Sequence, residues 1–217
     1  MRALAFVFVV GFVTVFACSR VEPAPPPPAP VSVPAGPVVA FLGDSITAGF
    51  ALRAEQAFPA LVRDRLARDG TTFKLVNAGV SGDTTAGGVR RIDWLLTQKP
   101  ALVVIELGGN DGLRGAPLDE VEKNLRAIVE KVRASGAQVL LLGMRLPPSH
   151  GEPYASDFAA LYDRVAKELD LAFVPFFMQG VAGVQELTQE DGLHPTAEGQ
   201  AKLATNVAPA LSALLKR

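Results

Sequence analysis

The sequence predicts a three-layer α/β/α sandwich built around a five-stranded parallel sheet. Five short apolar segments alternate along the chain with longer segments whose apolar residues recur at helical spacing. Parallel strands need crossover connections long enough to contain a helix, and the intervening segments have that length. The chain has 217 residues, of which 49% are hydrophobic, so it can form one domain with a substantial core.

The predicted elements follow one another from residue 38 to the C-terminus. The strands are VVAFL (38–42), FKLVNA (73–78), ALVVIEL (101–107), QVLLLG (138–143) and LAFVPF (171–176). The helices cover residues 57–70, 85–98, 118–136, 154–170 and 196–217, and Pro209 is expected to bend the last one. In such sheets ligands bind beyond the carboxyl ends of the strands, so the polar, Gly-rich loops that follow the strands are expected to converge on one edge.

Residues 1–37 are predicted to precede this domain, which then covers residues 38–217. Arg2, a long apolar stretch and Cys18 match a secretory signal over residues 1–18 better than a membrane span. The segment VFAC is similar to a bacterial lipobox, in which the cysteine becomes the lipidated first residue of the mature protein; a plain cleaved signal and an uncleaved anchor are the alternatives. The Pro-rich residues 19–37 predict an extended linker. We therefore expect a lipoprotein of the cell envelope, anchored through Cys18 on the periplasmic side, at the outer membrane if the host has one.

Composition and missing motifs exclude several classes of protein. A formal charge of −1 without a basic stripe argues against nucleic-acid binding. Cys18 is the only cysteine, which excludes an internal disulfide or a cysteine-based metal cluster. The chain has no G-x-S-x-G elbow around Ser45, no H-E-x-x-H and no P-loop. We expect no metal, no cofactor and a monomer.

Two short motifs suggest a nucleophile and its base. Gly43-Asp44-Ser45 follows the first predicted strand, although these residue types also suit an ordinary turn. In DGLH, Asp191 precedes His194 by three residues and can orient its imidazole, which can then take a proton from a serine. A plain helix N-terminus is the alternative for DGLH. With Ser45 expected on the same edge of the sheet, we favour a catalytic Ser45–His194–Asp191 arrangement.

Further residues after the strands can stabilise an oxyanion. Asn110, in ELGGND, carries a neutral amide donor, and Gly82 or Gly79 can offer a backbone N–H; the spacing alone does not choose between the two glycines. Asp44 and Asp111 are predicted to be turn and hydrogen-bonding residues. His150 is predicted to lie on a surface loop.

Six segments in this order resemble the SGNH (GDSL-type) hydrolases: FLGDSITAGF, NAGVSGDTT, ELGGNDGLRG, RLPP, PFFM and EDGLHP. The resemblance covers nearly all of residues 38–217 and is greatest to the bacterial thioesterase I, lysophospholipase L1 and arylesterase group. It implies a flavodoxin-like fold and a serine hydrolase that cleaves carboxylic esters and thioesters through an acyl-enzyme. It also implies Ser45 as nucleophile, Asp191 and His194 as its partners, and an oxyanion hole made by the Ser45 and Gly82 amides and the Asn110 side chain.

The expected substrate is a small-molecule acyl ester or thioester. By analogy with the family, Leu113 and Arg114 in GLRG and Leu146 and Pro147 in RLPP are expected to bind it. The run at residues 176–178 can add to an acyl channel, although core packing explains it equally well. The alternatives are a carbohydrate or peptidoglycan O-deacetylase of the same superfamily and a non-catalytic envelope module that binds lipid or glycan.

Overall fold

The computed structural model describes residues 36–216. The predicted signal over residues 1–18, the predicted lipidation site Cys18 and residues 19–35 of the predicted linker lie outside the described residues. None of the helices within residues 36–216 is long and apolar enough to cross a membrane.

The sheet has five parallel strands in the order β2-β1-β3-β4-β5, which confirms the predicted fold class. The strands are β1 Val38–Gly43, β2 Lys74–Gly79, β3 Leu102–Glu106, β4 Gln138–Leu142 and β5 Ala172–Val174. The central strands β1 and β3 are buried almost throughout, as expected for strands covered by helices on both faces. β5 is shorter than the predicted 171–176, because Pro175 has no N–H to continue the ladder.

Seven helices are assigned within the described residues. They are α1 Ser45–Ala48, α2 Phe58–Arg68, α3 Thr85–Leu96, α4 Gly109–Leu113, α5 Leu118–Ala134, α6 Tyr154–Glu168 and α7 Ala197–Leu215. Short 3-10 helices occur at Ala54–Gln56, Pro148–His150 and Gln185–Leu187. The five predicted helices begin within one residue of their expected starts and end two residues early, since the predictions included the capping residues. Helices α1 and α4 were not predicted.

The helices form the two outer layers. α2 packs against α7, while α5 packs against both α3 and α6. Aromatic side chains connect the layers to the sheet, as where Phe41 of β1 meets Phe58 of α2 edge to face, with ring centroids 5.7 Å apart. α7 continues without a break through Pro209. The loops at the carboxyl ends of the strands are left free to build a site.

Candidate active site

Ser45 lies at the point where β1 passes into α1. The Oδ1 atom of Asp44 accepts a hydrogen bond of 2.9 Å from the N–H of Ile46 and so caps the helix, which makes Ser45 its first residue. Gly49 ends this one-turn helix in the left-handed conformation, with φ of 72°. The Gly-Asp-Ser sequence therefore turns the chain tightly enough to present Ser45 at the carboxyl edge of the sheet. The serine is 8% exposed.

A hydrogen-bonded chain runs from Ser45 through His194 to Asp191. His194 Nε2 lies 2.8 Å from Ser45 Oγ, and His194 Nδ1 lies 2.6 Å from Asp191 Oδ2. Because an ionised carboxylate can only accept, the Nδ1 atom carries the proton and Nε2 faces the serine hydroxyl as an acceptor. The structure thus brings together three residues that span 149 positions of the sequence.

Local hydrogen bonds keep Asp191 ionised. Its Oδ1 atom accepts from the N–H groups of Leu193 at 2.8 Å and His194 at 2.9 Å. Burial works against the charge, but the hydrogen bonds from the His194 side chain and from the two backbone amides outweigh it and lower the pKa of Asp191 to about 2. The carboxylate is therefore charged throughout the neutral range.

The loop that carries His194 is held from both sides. Gln189 donates its backbone N–H to the His194 carbonyl at 2.7 Å and its side-chain amide to the carbonyls of Phe50 at 2.9 Å and Pro195 at 3.0 Å. The Phe50 ring stacks on the imidazole, with centroids 4.3 Å apart and planes inclined by 29°. This packing limits the rotation of His194 away from Ser45.

Gln200 links the helix that follows the histidine loop to the segment that follows Ser45. This side chain of α7 is 1% exposed; it accepts from the Phe58 N–H at 2.7 Å and donates to the Ile46 carbonyl at 3.0 Å. Ile46 directly follows the nucleophile and Phe58 begins α2, whereas Gln200 follows His194 by six residues. The glutamine therefore fixes the docking of α7 onto the end of α1.

Gly82 and Asn110 lie beside Ser45 in the same cavity. Asn110, in α4, donates one amide hydrogen to Asp44 Oδ2 at 3.2 Å. Gly82 follows β2 with a φ of 78°, which favours glycine, and its carbonyl accepts from Arg114 Nη2 at 3.2 Å. Gly79 is different: its N–H donates to Asn77 Oδ1 at 2.9 Å, and a Cβ atom there would clash with the Ala48 backbone.

A cavity of about 220 Å³ opens beside Ser45. Eight of its lining residues are apolar: Ile46, Phe50, Leu113, Met144, Leu146, Pro147, Met178 and Leu193. Three of the four predicted substrate-binding residues are in this list; the fourth, Arg114, does not line the cavity, and its guanidinium donates to the Gly82 carbonyl instead. Of the run at 176–178 only Met178 reaches the cavity, while Phe177 is fully buried in the core.

Residues 41–202 match the GDSL-like Lipase/Acylhydrolase family. The chain belongs to this family. It is 50% identical over 175 residues to esterase TesA of Pseudomonas aeruginosa, which covers 80% of this chain and 87% of that protein. Thioesterase 1/protease 1/lysophospholipase L1 of Escherichia coli is 41% identical over 176 residues, with 81% and 83% covered. The crystal structure of TesA superposes with a TM-score of 0.80 at 49% identity, covering 82% of this chain and 99% of that one.

Sequence reasoning missed two ionisable residues of this GDSL-family chain, Glu106, which is buried, and Arg91, which is half-buried. Glu106 ends β3, is fully buried, and accepts hydrogen bonds from the Thr47 hydroxyl at 2.6 Å and the Asp44 N–H at 3.2 Å. Its signal was a single charge in the otherwise apolar segment ALVVIEL. Arg91 of α3 donates to Asp83 at 2.6 Å and to the carbonyls of β1 and β2 near their ends, and so holds the loop that carries Gly82.

The remaining polar candidates lie outside the cavity. Asp111 accepts from the N–H of Thr85 at 2.9 Å and from its hydroxyl at 2.7 Å, which ties α4 to α3. His150 lies half-buried in the 3-10 helix that follows RLPP. Within residues 36–216, no three His, Cys, Asp or Glu side chains cluster closely enough to hold a metal ion.

Proposed function

We propose that Ser45, His194 and Asp191 form the catalytic triad of this enzyme, which hydrolyses carboxylic esters and thioesters. That reaction class follows from the family and from relatives that are an esterase and a thioesterase. The observation that carries the triad assignment is the hydrogen-bonded chain from Ser45 Oγ to the Asp191 carboxylate, at 2.8 and 2.6 Å. Acyl transfer to a serine needs a nucleophile, a base that takes its proton and a carboxylate that orients the base, hydrogen-bonded one to the next as these three residues are.

The proposed reaction proceeds in two displacements. Ser45 Oγ attacks the acyl carbonyl while His194 Nε2 takes its proton, and the ionised Asp191 stabilises the imidazolium. His194 then gives that proton to the departing alcohol or thiol, which leaves an acyl-Ser45 ester. A water molecule, deprotonated by His194, attacks this ester, and the acid leaves as Ser45 regains its proton.

The tetrahedral oxyanion is held by the N–H groups of Ser45 and Gly82 and by the Asn110 amide. Ser45, Gly82 and Asn110 all line the cavity, and Asn110 uses one of its two amide hydrogens on Asp44, which leaves the other for the substrate. The engagement of the Gly79 N–H with Asn77 supports Gly82 as the glycine donor.

The apolar walls favour a substrate with an acyl chain. Beyond the residues of the triad and oxyanion hole, three polar side chains among residues 36–216 line the cavity, those of Asp44, Ser81 and Arg145, and Asp44 is already bound to Ile46 and Asn110. A site that selects acetylated sugars needs several positioned polar groups to replace the water around the sugar hydroxyls. The lining therefore supports an acyl hydrolase over an O-deacetylase.

The proposed location rests on the sequence of residues 1–37. A signal over 1–18 that ends at a lipidated Cys18 would place the domain on the periplasmic side of the envelope. The Pro-rich residues that follow, at about 3.1 Å each in an extended form, would hold it about 50 Å from the membrane.

Ser45→Ala tests the triad. The variant should fold normally and lose kcat by about a thousandfold or more on a p-nitrophenyl ester, because the attacking oxygen is gone. A fluorophosphonate should label the wild type and Ser156→Ala, whose serine is exposed on α6, but not Ser45→Ala. One tenth of wild-type turnover in pure Ser45→Ala would overturn the assignment.

Asn110→Ala tests the oxyanion hole. Loss of one donor should lower kcat by about 10² to 10³ with little change in KM. A change confined to KM would show instead that Asn110 contributes to ground-state binding.

A further inference from the structure

Glu106 lies directly behind the nucleophile turn, and the mechanism above does not use it. In the sheet register it stands beside Gly43, the residue before Asp44. Its Oε2 atom accepts from the Asp44 N–H and the Thr47 hydroxyl, so it is bound to both sides of Ser45. Its Oε1 atom is buried and has no hydrogen-bond donor within residues 36–216. An unpartnered carboxylate oxygen at such a site is costly.

A second buried carboxylate belongs to Asp44, the residue whose N–H donates to Glu106. The two side chains are in hydrogen-bonding contact, and two ionised carboxylates do not share a buried site. Burial and then the charge of Asp44 raise the pKa of Glu106 well above its usual value. Burial also raises the pKa of Asp44, to about 6, although hydrogen bonds from Ile46, Glu106 and Asn110 and the nearby His194 favour its charged form. Burial therefore favours the neutral form of Glu106, while the hydrogen bonds to Asp44 favour the charged form of Asp44.

We propose that Glu106, as a neutral carboxylic acid, is a positioning residue for the oxyanion hole. Its Oε1–H donates to the Asp44 carboxylate, which in turn accepts the Asn110 amide hydrogen on Oδ2 and the Ile46 N–H on Oδ1. With this proton in place each of these hydrogen bonds has one donor and one acceptor, and Glu106 Oε1 is no longer without a partner. This inference rests on the proposed role of Asn110 as an oxyanion donor.

The arrangement fixes the direction of the Asn110 amide. An oxyanion donor is effective only when it is aimed before the charge develops, and a displacement of about 1 Å can cost about a hundredfold in rate. A neutral Glu106 lets Asp44 keep its full negative charge for the amide of Asn110. Glu106 also accepts a hydrogen bond from the backbone N–H of Asp44, the residue before the serine.

The test compares Glu106→Gln with Glu106→Met on one p-nitrophenyl ester. Glutamine can accept from Thr47 and from the Asp44 N–H while its amide donates to the Asp44 carboxylate, so its kcat should stay within about threefold of wild type. Methionine has a similar length and makes none of these bonds. Its kcat should fall by about tenfold or more, with KM within about twofold.

A double-mutant cycle separates positioning from general damage. If Glu106 acts through Asn110, Glu106→Met in the Asn110→Ala background should lower kcat by less than about threefold. Gln200→Met is the matched control, because Gln200 is equally buried but contacts Ile46 and Phe58 instead of Asn110. The effects of Gln200→Met and Asn110→Ala should multiply.

The protonation state of Glu106 can be measured directly. Carbon-13 NMR of the protein labelled at the glutamate side-chain carboxyls should show one neutral acid at pH 7 that is absent from Glu106→Gln. An ionised Glu106, a Glu106→Gln variant as impaired as Glu106→Met, or multiplicative effects of Glu106→Met and Asn110→Ala would each overturn the inference. If Asn110→Ala leaves kcat unchanged, the proposed oxyanion hole fails instead. Should Glu106→Met not fold, NMR and Glu106→Gln decide the question.

Discussion

The acyl chain length that the enzyme prefers follows from the cavity beside Ser45. A methylene group is close in size to a water molecule, whose share of liquid volume is about 30 Å³. A cavity of about 220 Å³ therefore holds about seven such groups, so an octanoyl chain fills it. We expect kcat/KM to rise from acetyl to octanoyl esters and to level off with longer chains, whose additional carbons remain in solvent.

The increase in kcat/KM from acetyl to octanoyl esters can be worked out from the area that each methylene buries. Full burial of a methylene contributes about 0.8 kcal/mol, which is about fourfold in kcat/KM. The cavity is open on one side, so we take about half of the surface of each methylene as buried. This raises kcat/KM by about twofold per carbon. Over the six methylenes between acetyl and octanoyl this amounts to about 60-fold, and full burial would give about four thousandfold.

The assay is a series of p-nitrophenyl esters with even-numbered acyl chains, each below its micelle concentration. The leaving group is constant, so differences in kcat/KM report acyl binding. Leu113→Trp is the control, because it narrows the cavity: it should lower the rate on octanoate and leave acetate within about twofold. Peak efficiency at acetyl, with turnover of acetylated xylan or peptidoglycan, would refute the argument and favour the O-deacetylase.

Two further predictions concern stability and location. Burial raises the pKa of Asp44 from 3.8 to about 6 and that of Glu106 well above its usual value. At these two carboxyls the folded state therefore holds more protons than the unfolded chain. The free energy of unfolding should accordingly fall as pH rises from about 4 through 6. Urea titrations should show this decline, and Glu106→Gln should reduce it; an increase over this range would contradict the assignment. Cys18→Ser should move the protein from the membrane to the soluble fraction with its esterase activity kept, because stable anchoring needs more than one acyl chain. Equal membrane association of both proteins would rule out lipidation as the anchor.

The layout of the fold could be predicted because long helices and buried strands leave periodic patterns. The five main helices and the five strands all occur in the expected order. Helices α1 and α4 have four and five residues, too few to show a period of 3.6. The predicted β5 is too long because Pro175 fits the apolar pattern but has no N–H to continue the ladder.

The site was only partly predictable. Asp191 and His194 are close in sequence, so their contact could be inferred from spacing, whereas Ser45 could be placed with them through the rule that strand ends share an edge and through the family resemblance. The partners of Glu106 and Gln200 lie between 59 and 154 positions away, and no local pattern encodes such pairs. Arg114 was expected in the pocket, but the sequence does not show that the Gly82 carbonyl lies within its reach.

The position of the site in the chain has a consequence for synthesis. The serine belongs to the first strand-helix turn, its histidine to the loop before the last helix, and the buried glutamine that ties them together to that last helix. A growing or truncated polypeptide that ends before α7 carries the serine and the histidine but lacks the glutamine that ties their two segments together. We therefore expect hydrolysis to begin only after the C-terminal helix has docked, so that an unfinished chain is inactive toward acyl esters and thioesters.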